Sequence, residues 1–375
     1  MILLGACPML STDLYLPALP TISRYYGTTD SMTNFTMIAF TIALAVSSLL
    51  WGPISDKYGR RPVVIVGSAF YFAGSLISVF APSIQALIFA RVIQAIGGGS
   101  ASMAAPALVR DVYDEQHQEK ILSLVQGMAL LGPAVAPSIG ALVLRGTDWH
   151  GIFVIMAAMG AVVFVGALFV KETLVEPLTV GVLSTFKRLW AVMKNPRFAK
   201  VAIVFTIPAV PIMAFITASP FIFQTRFGLS EQVFSLFFAA SAIAMMGGAF
   251  SYFPISRRIG HTATAYLCLA VLALTGLFTL LVGGHSPWIF ICLIAPSSFC
   301  CAMTKPFSVF LGLNAAEKSD TGSASSLLNF LALIFSSGGM LSLVLFNDFL
   351  SAVGALYLIS GALAAALLFV WFRKI

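Results

Sequence analysis

Two residue types that can do chemistry stand out because they lie where a lipid-seeking chain should have none: an aspartate and an arginine. Asp13 falls in STDLYLPALP, Ser11 to Pro20, so a carboxyl and two prolines, Pro17 and Pro20, interrupt the first apolar run. Of the 14 acidic residues it is the only one inside such a run. A carboxyl that alternates between protonated and charged forms as its exposure switches is the minimum equipment for carrying protons across a membrane. A proton falling through about 100 mV releases ~2.3 kcal/mol. Two roles stand open for Asp13: it takes up a coupling proton and helps bind substrate, or it caps the broken end of a helix. The prolines end or kink that helix and free carbonyls that must then face a cavity.

Arg91 lies in LIFARVIQAIGGGSAS. An arginine at mid-span costs about 2.5–3.5 kcal/mol on insertion scales, so it faces the protein interior or snorkels to the outer surface. Its i+3 and i+7 neighbours are Gln94 and Gly98, which gives one polar, small helix face on an otherwise apolar segment. Lys305, just before Pro306, is the other basic residue within a span, and it either snorkels or faces a cavity. In a cavity, one acid against two bases favours neutral or anionic substrates over dications. Tyr15, Gln94, Gln126, Phe215 and Asn329 complete the candidate substrate-binding set; such pockets are apolar with a few polar anchors.

Other chemistries find no residues. Glycine is never followed by lysine, so there is no phosphate-binding G-x-x-x-x-G-K-[ST] loop and no direct drive by ATP. His117, His150, His261 and His285 are scattered over loops and form no metal cluster. No nucleophile elbow and no second membrane carboxylate exist, which argues against an enzyme and against any cofactor. Cys7, Cys268, Cys292, Cys300 and Cys301 sit in apolar segments without disulfide or zinc spacing and read as small core residues. Leu4-Gly5-Ala6-Cys7 mimics a lipoprotein box but lacks a basic lead. Because Met1 is already apolar, the native N-terminus is expected to be longer.

The elements that must position these residues follow from composition. Hydrophobic residues make up 59% of the chain and charged ones 9%, far from the roughly 45–50% and 25% of soluble domains. Apolar runs of about 20 residues predict an all-α integral membrane protein with twelve spans. They fall near 1–20, 32–52, 62–81, 84–107, 121–144, 151–170, 200–223, 233–254, 263–283, 287–311, 323–346 and 351–372. Most of the 21 Lys and Arg then fall on one side, leaving only Arg24, Arg145 and Arg226 on the other. That bias puts both termini in the cytoplasm and explains the net charge of +7 without a nucleic-acid partner.

Residues 171–199 form the longest polar stretch and divide the chain into an N-terminal half, 1–170, and a C-terminal half, 200–375. The linker opens Lys171-Glu172-Thr173-Leu174 and contains an amphipathic-looking Phe186-Lys187-Arg188-Leu189-Trp190, suited to the inner membrane surface. A shift of 201 positions aligns Gly27 with Gly228, Asp30 with Glu231, Pro53-Ile54-Ser55 with Pro254-Ile255-Ser256, and Gly59 with Gly260. Several matches at one offset predict two related six-helix halves in parallel orientation, the arrangement of major facilitator transporters.

Gly52 to Pro62, GPISDKYGRRP, resembles motif A of the major facilitator superfamily at Gly52, Asp56, Gly59, Arg60 and Arg61. The resemblance implies a loop that latches the halves in one conformation. The Arg91 segment resembles motif B, at Arg91, Gln94 and Gly98 to Gly99 with a one-residue departure, whose arginine is implicated in proton coupling. QGMALLGPAVAPSIGAL resembles the antiporter motif C at Gly132, Pro133 and Gly140, with Ala136-Pro137 in place of the usual second glycine pair. That form, with Asp13-Leu14-Tyr15-Leu16-Pro17, Val109-Arg110-Asp111-Val112-Tyr113 and Gly322-Ser323-Ala324-Ser325, is similar to the bicyclomycin and chloramphenicol resistance (Bcr/CflA) family. The resemblance runs from about residue 11 to 330. It implies a monomeric drug and proton antiporter of a bacterial inner membrane, with no cofactor or metal. The alternatives are a proton-linked carrier of an endogenous metabolite on the same scaffold and a non-transporting membrane receptor or scaffold.

Overall fold

The computed structural model of the protein describes residues 2–174, 182–315, 321–346 and 348–372; a few helical stretches, of which 122–130 is the longest, are described in backbone only. All regular structure among the described residues is helical. The first apolar run is broken: α1 (Ile2–Asp13) ends at the aspartate, a 3₁₀ turn follows (Leu16–Ala18), and α2 (Leu19–Tyr25) completes it. Pro17 and Pro20 each occupy the first or second position of the piece they open, where a missing N–H costs nothing. Long helices follow: α3 (Asp30–Tyr58), α4 (Arg60–Val79), α5 (Ile84–Val112), α6 (Glu115–Gly146) and α7 (Trp149–Phe169).

Beyond them lie α8 (Val182–Lys194), α9 (Pro196–Thr206), α10 (Ala209–Pro220) with a π-turn (Phe221–Arg226), α11 (Glu231–Ile259), α12 (His261–Val282), α13 (Pro287–Ala315), α14 (Thr321–Ser342) and α15 (Phe349–Phe372). Helix starts are written in the sequence. Thr29, Ser83, Asp114, Asp148, Asn195 and Ser230 each accept a hydrogen bond from a first-turn backbone N–H, at 3.0–3.4 Å.

Among the described residues, ten helical segments are long and apolar enough to cross a bilayer. The first run is not among them because its break leaves pieces of 12 and 7 residues. For α6 the apolar part is the shorter Leu131–Gly146, after a polar start with Glu115, Glu119 and Lys120. Large apolar side chains such as Phe80, Phe169 and Leu345 point outward, as lipid-facing residues do.

The chain divides into two compact units, Met1–Lys187 and Arg188–Ile375. Their internal repeat is plain in the backbone. Among the described residues the positive-φ positions are Gly27 and Gly228, at 59° and 68°, and Gly59 and Gly260, at 105° and 86°; each pair stands 201 positions apart. Between them α3 and α11 are both 29 residues long, and both end with the glycine N–H donating to a serine carbonyl, Ser55 or Ser256.

Within the first unit α4 and α5 approach almost backbone to backbone. Gly97 lies against the backbone of Tyr71, and Gly74 against the backbone of Gln94, so that a Cβ at either position would overlap the partner chain. Close approach at these two points sets Tyr71 beside Gln94. The core of this unit includes Leu4, Val64, Ala104, Leu108 and Ala167; that of the second includes Val204, Phe205, Tyr252, Leu269, Phe307 and Leu368.

Candidate functional site

Arg91 resolves one alternative left by the sequence: its side chain does not snorkel but is 0% exposed inside the first unit. The guanidinium carbon lies 4.1 Å from the Phe40 ring centre, 4.8 Å from that of Tyr15 and 6.0 Å from that of Phe153. Three rings from α3, the 3₁₀ connection and α7 thus surround one cation, each within the range of cation–π attraction. Arg91 Nη1 donates to Gln94 Oε1 at 2.6 Å, and Nη2 approaches Met37 Sδ at 3.7 Å. Among the described residues, Arg91 has no ion-pair partner and its Nε–H no acceptor, and the buried amide of Asn34 is likewise unpartnered. An unneutralised buried charge costs several kcal/mol by an order-of-magnitude count, so its retention calls for a role other than stability.

Gln94 and Tyr15, both predicted to bind substrate, are buried in the same network. Gln94 Nε2 donates to Ser75 Oγ at 2.8 Å, and the Tyr15 hydroxyl donates to Thr36 Oγ1 at 3.0 Å, the Thr36 proton going to the Thr33 carbonyl. Tyr15 packs on Phe153 with ring centres 5.3 Å apart. The spacing of Arg91 and Gln94 identified one helix face; the rings that complete the cage come from elements distant in sequence, and no local pattern signals them.

Asp13 is 7% exposed at the last residue of α1, with Thr12 Oγ1 3.4 Å from its Oδ1. It forms no ion pair with Arg91. Helix α6, which carries Gly132, Pro133, Pro137 and Gly140, packs along this break. A Cβ added at Gly132 would stand 3.9 Å from Asp13 Oδ2, and one at Gly140 would collide with the Leu14 carbonyl. The small residues of the motif C segment therefore let a second helix lie directly on the interrupted backbone around Asp13. Gln126, on the same helix, has a side chain outside the described residues.

The motif A residues form a second cluster at the Gly59 end of the unit. Arg60 Nη1 donates to Asp56 Oδ1 at 2.5 Å and Ser55 Oγ at 3.0 Å, while its Nε donates to Asp111 Oδ2 at 3.2 Å. Thr173 Oγ1 donates to the same Asp111 oxygen at 3.1 Å. Glu172 closes the cluster: its carboxylate accepts from the backbone N–H of Arg60 at 2.8 Å, Arg61 at 3.1 Å, and Thr173 and Leu174 at 3.0 Å. Arg61 itself donates to the Leu168 carbonyl at 3.3 Å. Partial burial pushes the Glu172 carboxyl up, but the four backbone donors outweigh it and hold the group below the usual glutamate range. Three sequence segments, Gly52 to Pro62, Arg110 to Tyr113 and Lys171 to Leu174, are thereby joined. Glu172 is the member that sequence reasoning passed over; it caps α4, which starts with Gly59 and no side-chain cap of its own.

In the second unit the candidates are not gathered. Phe215 is fully buried, 6.3 Å from Phe238 and 6.1 Å from Phe290 within an aromatic cluster. Lys305 on α13 and Asn329 on α14 are exposed. At the opposite loop end, Asp348 accepts from Arg226 Nη1 at 2.5 Å and caps α15 through Ser351. Partial burial raises its carboxyl, but Ser351 and Arg226 together draw it below the usual aspartate range.

Bilayer-length helices, a repeated half and a buried carboxyl and guanidinium in the first unit define a multi-pass membrane transporter rather than an enzyme. The chain belongs to the Major Facilitator Superfamily, whose family description matches residues 1–343. It is 28% identical over 347 residues to YdgK of Bacillus subtilis (strain 168), described as an uncharacterized MFS-type transporter, covering 88% of this chain and 83% of that protein. It is 30% identical over 262 residues to the multidrug resistance protein MdtL of Vibrio parahaemolyticus serotype O3:K6, covering 69% of this chain and 65% of that protein. MdtL of Klebsiella pneumoniae subsp. pneumoniae is 28% identical over 269 residues, covering 72% and 68%. Among solved structures, a D-xylose-proton symporter superposes with a TM-score of 0.74 at 15% identity, over 99% of this chain and 94% of that one. A peptide transporter in complex with sulfate gives 0.75 at 15% identity, over 97% and 93%. Both likenesses concern the fold.

Proposed function

We propose that the protein exports small amphipathic drugs in exchange for protons across a bacterial inner membrane, as a Bcr/CflA-type antiporter. Twelve spans form two six-helix halves, 1–170 and 200–375, joined by a cytoplasmic linker, 171–199, with both termini in the cytoplasm. The transporter alternates between two states, so that Asp13 meets each side of the membrane in turn. The observation that carries the reading is the setting of Asp13: a carboxyl at a helix break, against which the glycines of a motif C-like segment are packed. The multidrug resistance relatives support drug export as the substrate class.

In this reading Asp13 takes up the coupling proton and Arg91 sets the electrostatic potential in which it does so. Tyr15, Gln94, Gln126, Phe215, Lys305 and Asn329 contribute to substrate binding, and Gly52, Asp56, Gly59, Arg60 and Arg61 govern the conformational exchange. The test is proton release from acidified inverted vesicles when a panel of antibiotics is added. Wild type releases protons with at least one drug and Asp13→Asn does not. Release from neither, with folded protein and a broad panel, moves the assignment to a metabolite carrier or a non-transporter; undiminished release from Asp13→Asn removes the proton from Asp13.

A further inference from the structure

Tyr71 of α4 and Ser11 of α1 belong to no motif, yet they link the Arg91 cage to the helix that carries Asp13. Their hydroxyl oxygens lie 2.6 Å apart, and both residues are buried. Ser11 Oγ donates to the Cys7 carbonyl at 2.7 Å, which uses its only proton. Tyr71 has two acceptors on α1, Ser11 Oγ at 2.6 Å and the Cys7 carbonyl at 3.4 Å. Ser75 joins Tyr71 to Gln94: its Oγ accepts from Gln94 Nε2 at 2.8 Å and donates to the Tyr71 carbonyl at 2.7 Å.

The orientation of Gln94 is fixed by chemistry. A guanidinium has donors only, so Gln94 presents Oε1 to Arg91 and Nε2 to Ser75 Oγ and Met156 Sδ. A continuous run of hydrogen bonds then leads from Arg91 to Gln94, from Gln94 to Ser75 and from Ser75 to the Tyr71 carbonyl, and the Tyr71 hydroxyl carries it on to Ser11 and the Cys7 carbonyl in the last turns of α1. Such a chain is polarised by the charge at its head, and in a dry interior its members reinforce one another. The close α4–α5 approach at Gly74 and Gly97 is what brings Gln94 and Ser75 into range.

We infer that Tyr71 and Ser11 are positioning residues of the coupling step, transmitting the state of the Arg91–Gln94 pair to the end of α1, two residues before Asp13. The inference rests on the exchange reading above. Neither hydroxyl touches substrate; each acts by holding the last turn of α1 in register with the cation.

The test uses full-length protein in liposomes and a radiolabelled phenicol. Two fluxes are compared: accumulation driven by an imposed pH gradient, and downhill equilibration without one. Tyr71→Phe and Ser11→Ala should each cut gradient-driven accumulation by about threefold to tenfold, the factor one buried hydrogen bond carries, with downhill flux within about twofold of wild type. The double variant should be no worse than either single one, because both break the same chain. An unchanged ratio of the two fluxes in Tyr71→Phe, or an equal fall in both fluxes for both variants, overturns the inference. A wild type that equilibrates the phenicol but never accumulates it sinks the exchange reading as well, which separates the two failures.

Discussion

Gly140 of α6 lies directly on the backbone of Leu14, with no room for a Cβ between it and the Leu14 carbonyl oxygen. Leu14 follows Asp13 at the break in the first span, so the separation of α6 from that break is set by one hydrogen atom. Gly140→Ala must push α6 away. Overpacking of this kind costs about 1–3 kcal/mol, and it should lower the midpoint of thermal unfolding in detergent. Drug-dependent proton release should fall by more than the loss of folded protein accounts for. Unchanged proton release would mean that α6 moves freely against the break.

The arginine cage predicts opposite effects on stability and on transport. Arg91→Met removes a buried charge that has no ion-pair partner among the described residues and fills the space between Phe40 and Tyr15 with a thioether. Replacing buried charge by apolar volume is often neutral or stabilising by about 1–4 kcal/mol, so thermal stability should hold or rise while coupled export is lost. Arg91→Lys keeps the charge but loses the planar stacking and should also impair export. Thermal unfolding and gradient-driven accumulation, measured on the same preparations, check both. A strongly destabilised Arg91→Met would instead make the cage a structural element.

Much of this architecture was legible in the chain, and the reasons are physical. Bilayer-length apolar runs reveal helices because lipid leaves the backbone no other partner than itself. The 201-residue repeat was readable because its marks, Gly27, Gly59, Gly228 and Gly260, occupy a backbone conformation that side chains disfavour. Arg91 and Gln94 could be paired from their i, i+3 spacing. Partners brought together by packing were not legible: Phe40, Phe153, Tyr71 and Glu172 each join a cluster through contacts more than 50 residues away from it in sequence, counting Glu172 to Arg60 and Tyr71 to Ser11. The break in the first span was expected from its prolines, but that it divides the run into pieces too short to span depended on the 3₁₀ turn between them.

Glu172 gives the Gly59-end cluster a pH dependence with a definite sign. Its carboxyl lies below the ordinary glutamate value of 4.5 because it accepts backbone donors at the start of α4. A group whose folded value is depressed stabilises the fold above its unfolded value and loses that contribution as pH falls through the folded one. The stability advantage of wild type over Glu172→Gln should therefore be complete near neutrality and vanish on acidification from about pH 5 to about pH 3. Because the side chain is exposed, the advantage should be small, about 0.2–1 kcal/mol. Thermal unfolding of both proteins across that range decides it; a gap that widens on acidification would contradict the assignment.

Gly59 and Gly260 are equivalent by repeat but not by surroundings, which makes them a matched pair. Both have a backbone conformation, φ 105° with ψ 159° and φ 86° with ψ 155°, that is essentially confined to glycine. Alanine at either should cost about 1–3 kcal/mol from backbone strain alone. A Cβ at Gly260 meets nothing, whereas at Gly59 it would collide with the Glu172 carboxylate that caps α4. Gly59→Ala should thus be the more damaging of the two, and the excess should disappear when Glu172 is already replaced by alanine. A double-mutant cycle on thermal stability measures that coupling, and equal costs in both backgrounds would separate Glu172 from the Gly59 turn.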